Sequence, residues 1–277
     1  MKTDNYKREL QIAKDVVLKA GTILTVSRER NKIIKQPHGD GYLDVTTSVD
    51  IESESLLIET IASEFPQDSI LSEETRVEYT PDKKRLWIMD PLDGTTNYVK
   101  GLDAYAVSVA LMDEGKAAMA VNYIPTTGDM YHAVRGQGVF LNDKKLVIVN
   151  PDETLGQSLV SVGFPHSRTK DVADRAFALY RDIWLASSDL RRSASAVVDG
   201  CLLASGITGA YLTPDIKPWD IVSGSLFVEE QGGIASDLHG QPLDLFRRSG
   251  NRFSTSVIFA KNKTIHDAVK EITMRYN

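Results

Sequence analysis

Four short segments of this 277-residue chain concentrate carboxylates and hydroxyls among turn-forming residues, and the densest is D-P-L-D-G-T-T-N, Asp90 to Asn97. The run RLWIMD (85–90) reads as a buried strand. Asp90 therefore ends a strand, and Pro91 fixes φ and withholds a ladder N–H. Asp93 falls on the turn, and Gly94 permits a backbone conformation that other residues resist. Two carboxylates and a backbone carbonyl at one strand end suit a hard cation such as Mg²⁺, which takes oxygen ligands. The amides of Gly94 and Thr95, at a candidate helix start, suit phosphate oxygens.

Each segment also has an ordinary explanation. D-P-L-D-G-T alone reads as an Asp/Gly turn with a capping carboxylate. Ser72-Glu73-Glu74-Thr75 reads as a solvated charge pair, and Asp220 after Pro218-Trp219 as a helix cap. Asp44 and Asp50 flank V-T-T-S-V, a plain capping segment. All four in one chain are hard to attribute to chance. The histidines add nothing to the constellation: His38 falls in a loop, His132 in a strand, His166 and His239 beside turns. None pairs with Cys or Glu at ligand spacing, so structural or exposed roles are expected.

The elements around these segments follow from hydrophobic periodicity. Helical spacing runs over 4–29 and about 49–65, with the glycine- and proline-bearing segment 35–44 between them a loop. Strand-like runs at 104–112, 116–124 and 128–136 predict a mostly antiparallel meander. After Pro151 come a strand (159–164), a helix through 175–186, a helix over 195–206 and a strand at 209–212. A helix then runs from about Trp219 to Gly232–Gly233, followed by a strand (254–260) and a C-terminal helix. No repeat or linker interrupts the chain. The expectation is one catalytic unit, 1–277, with halves 1–150 (metal and phosphate motifs, meander) and 151–277 (substrate-facing).

Composition narrows the function classes. Hydrophobic residues at 42% and charged residues at 25% are those of an ordinary folded protein, and no apolar run reaches membrane-span length. The charged opening MKTDNYKREL holds no signal-peptide apolar region, so a cytoplasmic protein without membrane partners is expected. One cysteine, Cys201, cannot form an internal disulfide and reads as a core residue of an apolar helix. The net charge of −6 argues against nonspecific nucleic-acid binding. An anionic small substrate then needs cations, or a helix N-terminus, to reverse the local field.

The segments resemble the motifs of the inositol monophosphatase family, the Mg²⁺-dependent, lithium-sensitive phosphomonoesterases. WIMDPLDGTTNYVKG (87–101) is similar to the family's first signature and KPWDIVSGSLFVEEQGG (217–233) to its second. LSEET (71–75) matches its G-E-E segment, with Ser72 where glycine is usual, and DVTTSVD (44–50) its D-[LV]-V-T-x-x-D. The resemblance, from about residue 5 to 265, implies the layered α/β/α/β/α sugar-phosphatase fold with mixed sheets. It also implies a homodimer and two Mg²⁺ ions. Glu73, Asp90 and the Leu92 carbonyl would bind the first, and Asp90, Asp93 and Asp220 the second. Glu73 would help hold a third, looser ion. Thr95, polarised by Asp50, would position the attacking water together with Glu73, and Lys35 stands where the family carries a loop lysine.

Asp93, Ala194, Ser195, Ala196, Thr213 and Asp220 are the substrate-facing positions that the resemblance implies. Here the pattern departs: Ala194 replaces a glycine, and Thr213 a glutamate that inositol-specific relatives use for ring hydroxyls. The expected activity is hydrolysis of a small phosphate monoester: inositol 1-phosphate, another sugar phosphate such as fructose 1,6-bisphosphate, or a nucleotide such as NADP or 3′-phosphoadenosine 5′-phosphate. The rival is a binding or regulatory protein that keeps the fold. Degenerate ligands would favour that rival, but Glu73, Asp90, Asp93, Thr95 and Asp220 are all present.

Overall fold

Strand alternation explains why the central runs look apolar at every position: each is buried on both faces. In a computed structural model of the protein, residues 6–28, 33–35, 46–75, 84–148, 152–249 and 252–276 are described. A short pair, β1 (Ile33–Lys35) and β2 (Thr46–Thr47), precedes a seven-stranded sheet. That sheet holds β3 (Ser69–Ser72), β4 (Arg85–Asp93), β5 (Ala106–Asp113), β6 (Lys116–Ile124), β7 (Asp129–Val134), β8 (Gly138–Leu141) and β9 (Lys144–Lys145) in chain order. From β4 to β9 every pairing is antiparallel, as the meander predicted, while β3 joins β4 in parallel. On β5, Val107, Val109 and Leu111 enter one core, and Ala106, Ala110 and Met112 the core behind it.

The first core is closed by α1 (Lys7–Ser27) and α2 (Ser48–Glu64), whose Val16, Val17, Leu57 and Ile61 meet Trp87 and Met89 of β4. The second sheet comprises β10 (Leu159–Val162), β11 (Asp189–Arg191), β12 (Ala210–Ile216), β13 (Ile234–Ser236) and, after the small hairpin β14 (Arg248–Ser249) and β15 (Arg252–Phe253), β16 (Thr255–Ala260). Its order is β11-β10-β12-β16-β13. Its outer face carries α4 (Lys170–Ala186) and α7 (Lys263–Thr273), with α3 (Thr95–Lys100) lying earlier, beside the first sheet. Between the sheets run α5 (Ala196–Ala204) and α6 (Pro218–Glu230), which contribute to both inner cores. A Cβ on Gly200 would stand 3.3 Å from the Gly224 Cα, so glycine on both helices lets their backbones approach closely.

The layers are thus α1/α2, sheet, α5/α6, sheet, α4/α7, the α/β/α/β/α order implied by the sequence motifs. Cys201 of α5 is fully buried, with the Asn122 amide donating to its Sγ at 3.5 Å, and burial pushes its thiol up to about 12. Among the described residues no helix is long and apolar enough to cross a membrane. Strands β3, β8, β11 and β13 were not read from the sequence; at three or four residues each, they lack the length over which alternation is visible.

Candidate functional site

The ladder between β4 and β5 slips between Asp90 and Asp93, where Pro91 and Leu92 together oppose the single residue Val107 in a bulge. Asp90 Oδ1 accepts from the Leu92 N–H at 3.0 Å, which folds the chain back on itself. Gly94 follows at φ +89°, and a Cβ there would stand 2.7 Å from the Ala104 carbonyl oxygen. Both the conformation and the contact demand glycine at this position.

Three elements converge on this turn. From the first sheet come Asp90 and Asp93, and from the start of α6 comes Asp220, whose Oδ2 accepts from the Lys217 N–H at 3.2 Å. The oxygens of these three carboxylates lie within 4.8 Å of one another. Asp93 Oδ2 accepts from the Val197 N–H at 2.8 Å and from the Ser195 hydroxyl, so the start of α5 sets its angle. Asp90 Oδ2 is buried, and among the described residues no hydrogen bond to it is made. Burial, followed by the Glu73, Asp93 and Asp220 charges, pushes Asp90 well above the ordinary carboxylate range. Burial and Asp220 bring Asp93 up to about 7, against the pull of its two donors. Burial likewise raises Asp220. An oxygen-only donor set with an unspent buried carboxylate oxygen fits a hard divalent cation.

Asp50 sits at the third position of α2, where its Oδ2 accepts from the Thr47 N–H at 2.9 Å in a capping box. Its other oxygen, Oδ1, faces the Thr95 hydroxyl at 3.2 Å, and that hydroxyl also lies 3.0 Å from the Leu92 carbonyl. A hydroxyl has one proton, so Thr95 serves one of these acceptors at a time. Glu73 lies close enough to Asp90 to raise its proton affinity but stands outside the tight carboxylate triad.

The triad and Thr95 floor a cleft of about 760 Å³, with Asp50 fully buried behind Thr95. Glu73, Leu92, Gly94, Ala194, Ser195 and Ala196 line it with the triad and Thr95. Ala194 does so at φ +63°, the left-handed region, which costs a side chain with a Cβ about 1 kcal/mol or more. Thr213 is a correction: it is fully buried and does not line the cleft. The Gly163 N–H donates to the Leu212 carbonyl at 2.9 Å and lays the chain after β10 over Thr213, whose hydroxyl points to the Asp215 carbonyl at 3.3 Å. Lys35 lies in β1 with its side chain, like Asp44 and the 36–45 segment, outside the described residues.

Of the cleft's outer wall only Arg192, in the sugar-facing segment 191–196, was read from the sequence. Phe164, His166, Arg168, Phe177 and Arg192 line it, and the Arg192 guanidinium lies 4.6 Å over the Phe164 ring. Phe164 is 39% and Phe177 61% exposed, and their rings meet at 5.4 Å. His166, expected to be structural or exposed, reaches this wall with Nδ1 3.5 Å from Asp215 Oδ2. Burial opposes ionisation of Asp215, but His166 and the Ser254 hydroxyl outweigh it and hold the carboxyl down at about 2. The one available signal was the cluster F-P-H-S-R (164–168), aromatic and basic residues together after a strand.

Known proteins resemble this chain in sequence and in fold. The chain matches the model of the Inositol monophosphatase family over residues 5–272. It is 35% identical over 247 residues to the protein of Vibrio cholerae named Nus factor SuhB, covering 89% of this chain and 91% of that one. It is 31% identical to the fructose-1,6-bisphosphatase/inositol-1-monophosphatase of Aquifex aeolicus, over 99% of this chain and 98% of that one. The solved inositol monophosphatase of Anabaena superimposes with a TM-score of 0.82 at 28% identity, covering 99% and 98% of the two chains.

Proposed function

This chain belongs to the inositol monophosphatase family, and from that premise we propose that it hydrolyses a small phosphate monoester, most naturally inositol 1-phosphate or a related sugar phosphate, with Mg²⁺ at the cleft floor. The convergence of Asp90, Asp93 and Asp220 oxygens within 4.8 Å is the observation that carries the reading. In this reading Asp90, Asp93, Asp220, Glu73 and the Leu92 carbonyl hold the ions. When bound, divalent cations neutralise the phosphate dianion, lower the pKa of water and stabilise the leaving alkoxide.

The chain's own residues supply orientation. Were the Leu92 carbonyl to serve as a metal ligand, the Thr95 hydroxyl would donate to Asp50 Oδ1 and offer its lone pairs to the attacking water. Glu73 accepts a hydrogen bond from the same water, and the Gly94 and Thr95 amides hold phosphate oxygens. Asp93 and Asp220, lining the cleft with Ala194, Ser195 and Ala196, would face the leaving group. The test is phosphate release from a substrate panel with and without Mg²⁺. Mg²⁺-dependent release supports the reading, and no release from any member overturns it.

A second substrate reading has its own observation. The Phe164 ring under the Arg192 guanidinium, with Arg168 lining the same cleft, suits a leaving group that is flat or carries a second anion. Fructose 1,6-bisphosphate, NADP and 3′-phosphoadenosine 5′-phosphate have that chemistry. The relatives named Nus factor favour a regulatory role on the same fold, which total loss of turnover with retained structure would support. We further propose a cytoplasmic homodimer; light scattering checks the mass.

A further inference from the structure

Helix α2 buries three polar side chains at positions 50, 53 and 54, the i, i+3, i+4 spacing of one helix face. Each grips a different point of the chain around the cleft floor. Asp50 accepts from Thr95, and the Ser53 hydroxyl donates to the Pro91 carbonyl at 2.9 Å, one peptide before Leu92. Glu54, 1% exposed, takes the most contacts. Its Oε1 accepts from the N–H groups of Glu74 and Thr75, both at 3.0 Å. Its Oε2 accepts from the Thr75 N–H at 3.1 Å and hydroxyl at 2.8 Å. Among the described residues Glu54 has no ion pair with a cation. The donors to its carboxylate are those of the turn that follows Glu73.

Glu73 is therefore fixed from both sides. Before it, Ser72 is registered against Met89 in the β3–β4 ladder, one residue short of Asp90. After it, the backbone of 74–75 hangs on Glu54. Burying a carboxylate here costs desolvation, which only several well-aimed donors offset. An apolar residue would fill the space without that cost, so packing alone does not account for an acid at position 54.

We propose that Glu54 is a positioning residue that sets the distance between Glu73 and the Asp90–Asp93 carboxylates, with Ser53 holding the Leu92 side of the same gap. This rests on the metal-site reading above. It assigns α2 a task beyond packing: one rigid helix aligns two separate turns, so the position shared by both turns is tuned from α2. The position held by Asp93 and Asp220 is not.

The test is a double-mutant cycle read by Mn²⁺ binding in electron paramagnetic resonance, with Mg²⁺ calorimetry alongside. Glu73→Gln defines the ion class that depends on Glu73. Glu54→Gln keeps one acceptor oxygen but loses the other, and should weaken that same class at least tenfold, ~1.4 kcal/mol, with the Asp93–Asp220 class shifting less than threefold. Combined with Glu73→Gln it should add little, because Glu54 acts through Glu73. Additive losses, or equal weakening of both classes, would mean a structural role and overturn the proposal. Should Glu54→Gln lose its circular dichroism, Thr75→Val removes a single donor and must show the same selective loss, smaller in size; unchanged affinity there overturns the proposal too. Wild-type protein that binds neither Mn²⁺ nor Mg²⁺ would sink the metal-site reading instead, a result the cycle keeps separate.

Discussion

The floor and the outer wall of the cleft are built on different principles. On the floor Asp90, Asp93 and Asp220, and behind it Asp50, each accept at least one backbone N–H, from Leu92, Val197, Lys217 and Thr47 in turn. Their geometry is thus set by main chain at strand and helix ends, inside the fold. The wall consists of side chains that touch one another, Arg192 on Phe164 and Phe164 on Phe177, at the surface. Backbone-held groups lose little freedom on binding and suit one invariant task, such as holding cations and phosphate. Side chains standing on side chains can be exchanged without disturbing the fold. In the proposed function, reaction type belongs to the floor and choice of leaving group to the wall.

The sharpest way to break that division is at Asp93. Asp93→Asn keeps an acceptor for the Val197 N–H, so the protein should fold, yet kcat should fall by at least tenfold, ~1.4 kcal/mol, for every substrate. Near-normal kcat at saturating Mg²⁺ would remove Asp93 from the floor. Next in size is Thr95→Ala, which leaves every proposed ligand in place. Turnover should drop severalfold or more while Mg²⁺ affinity by calorimetry stays within about twofold. Joint collapse of both would recast Thr95 as a brace of the turn.

Proton competition follows. Asp90, Asp93 and Asp220 bind protons more tightly when folded than unfolded. In that state the metal-free fold is favoured by protonation, so its stability declines as pH rises from the ordinary carboxylate range through about 7, the value for Asp93. Cations displace those protons, so Mg²⁺ should bind more weakly as pH falls below about 7, by up to tenfold per unit for each proton released. Mg²⁺ calorimetry at pH 6, 7 and 8 reads this directly; pH-independent affinity would show that the carboxyls are already ionised.

Smaller effects are expected on the wall. Arg192→Ala removes a guanidinium stacked on Phe164, a contact worth ~0.5–1 kcal/mol. The ratio of kcat/KM for NADP over inositol 1-phosphate should fall about two- to fivefold, carried by KM. A change in kcat for both substrates alike would place Arg192 with the floor. Smallest is Ala194→Gly, which relieves the φ of +63° at the expense of a freer unfolded chain. A melting temperature raised by a degree or two is expected; a fall would show that the methyl group packs usefully.

The floor was legible in the sequence because its chemistry depends on residue type and on spacing along short stretches. A carboxylate at a strand end, a Gly in the left-handed region and an Asp in a helix's first turn all leave local marks. The wall joins 164–168, Phe177 and Arg192, which meet only after α4 returns the chain to β11 beside β10. Thr213 misled for a related reason. Strand position told which residue stands near Asp220, but not that the chain at Gly163 would cover it. Glu54 was hidden inside a helix pattern where a lone acid looks like a solvated residue. Its burial is a tertiary fact, created by the turn that settles onto it.

The chain's one thiol gives this architecture a built-in clock. Cys201 stands between the sheets with no exposed surface and a proton held up to about 12, so the folded protein offers reagents neither access nor thiolate. Its alkylation must wait for α5 to part from the first sheet. The labelling rate therefore counts openings of the layer that joins Asp220 to Asp90 and Asp93. An ion bridging those carboxylates should slow the count, and an oxidant will find this protein only in the moments when it has already come apart.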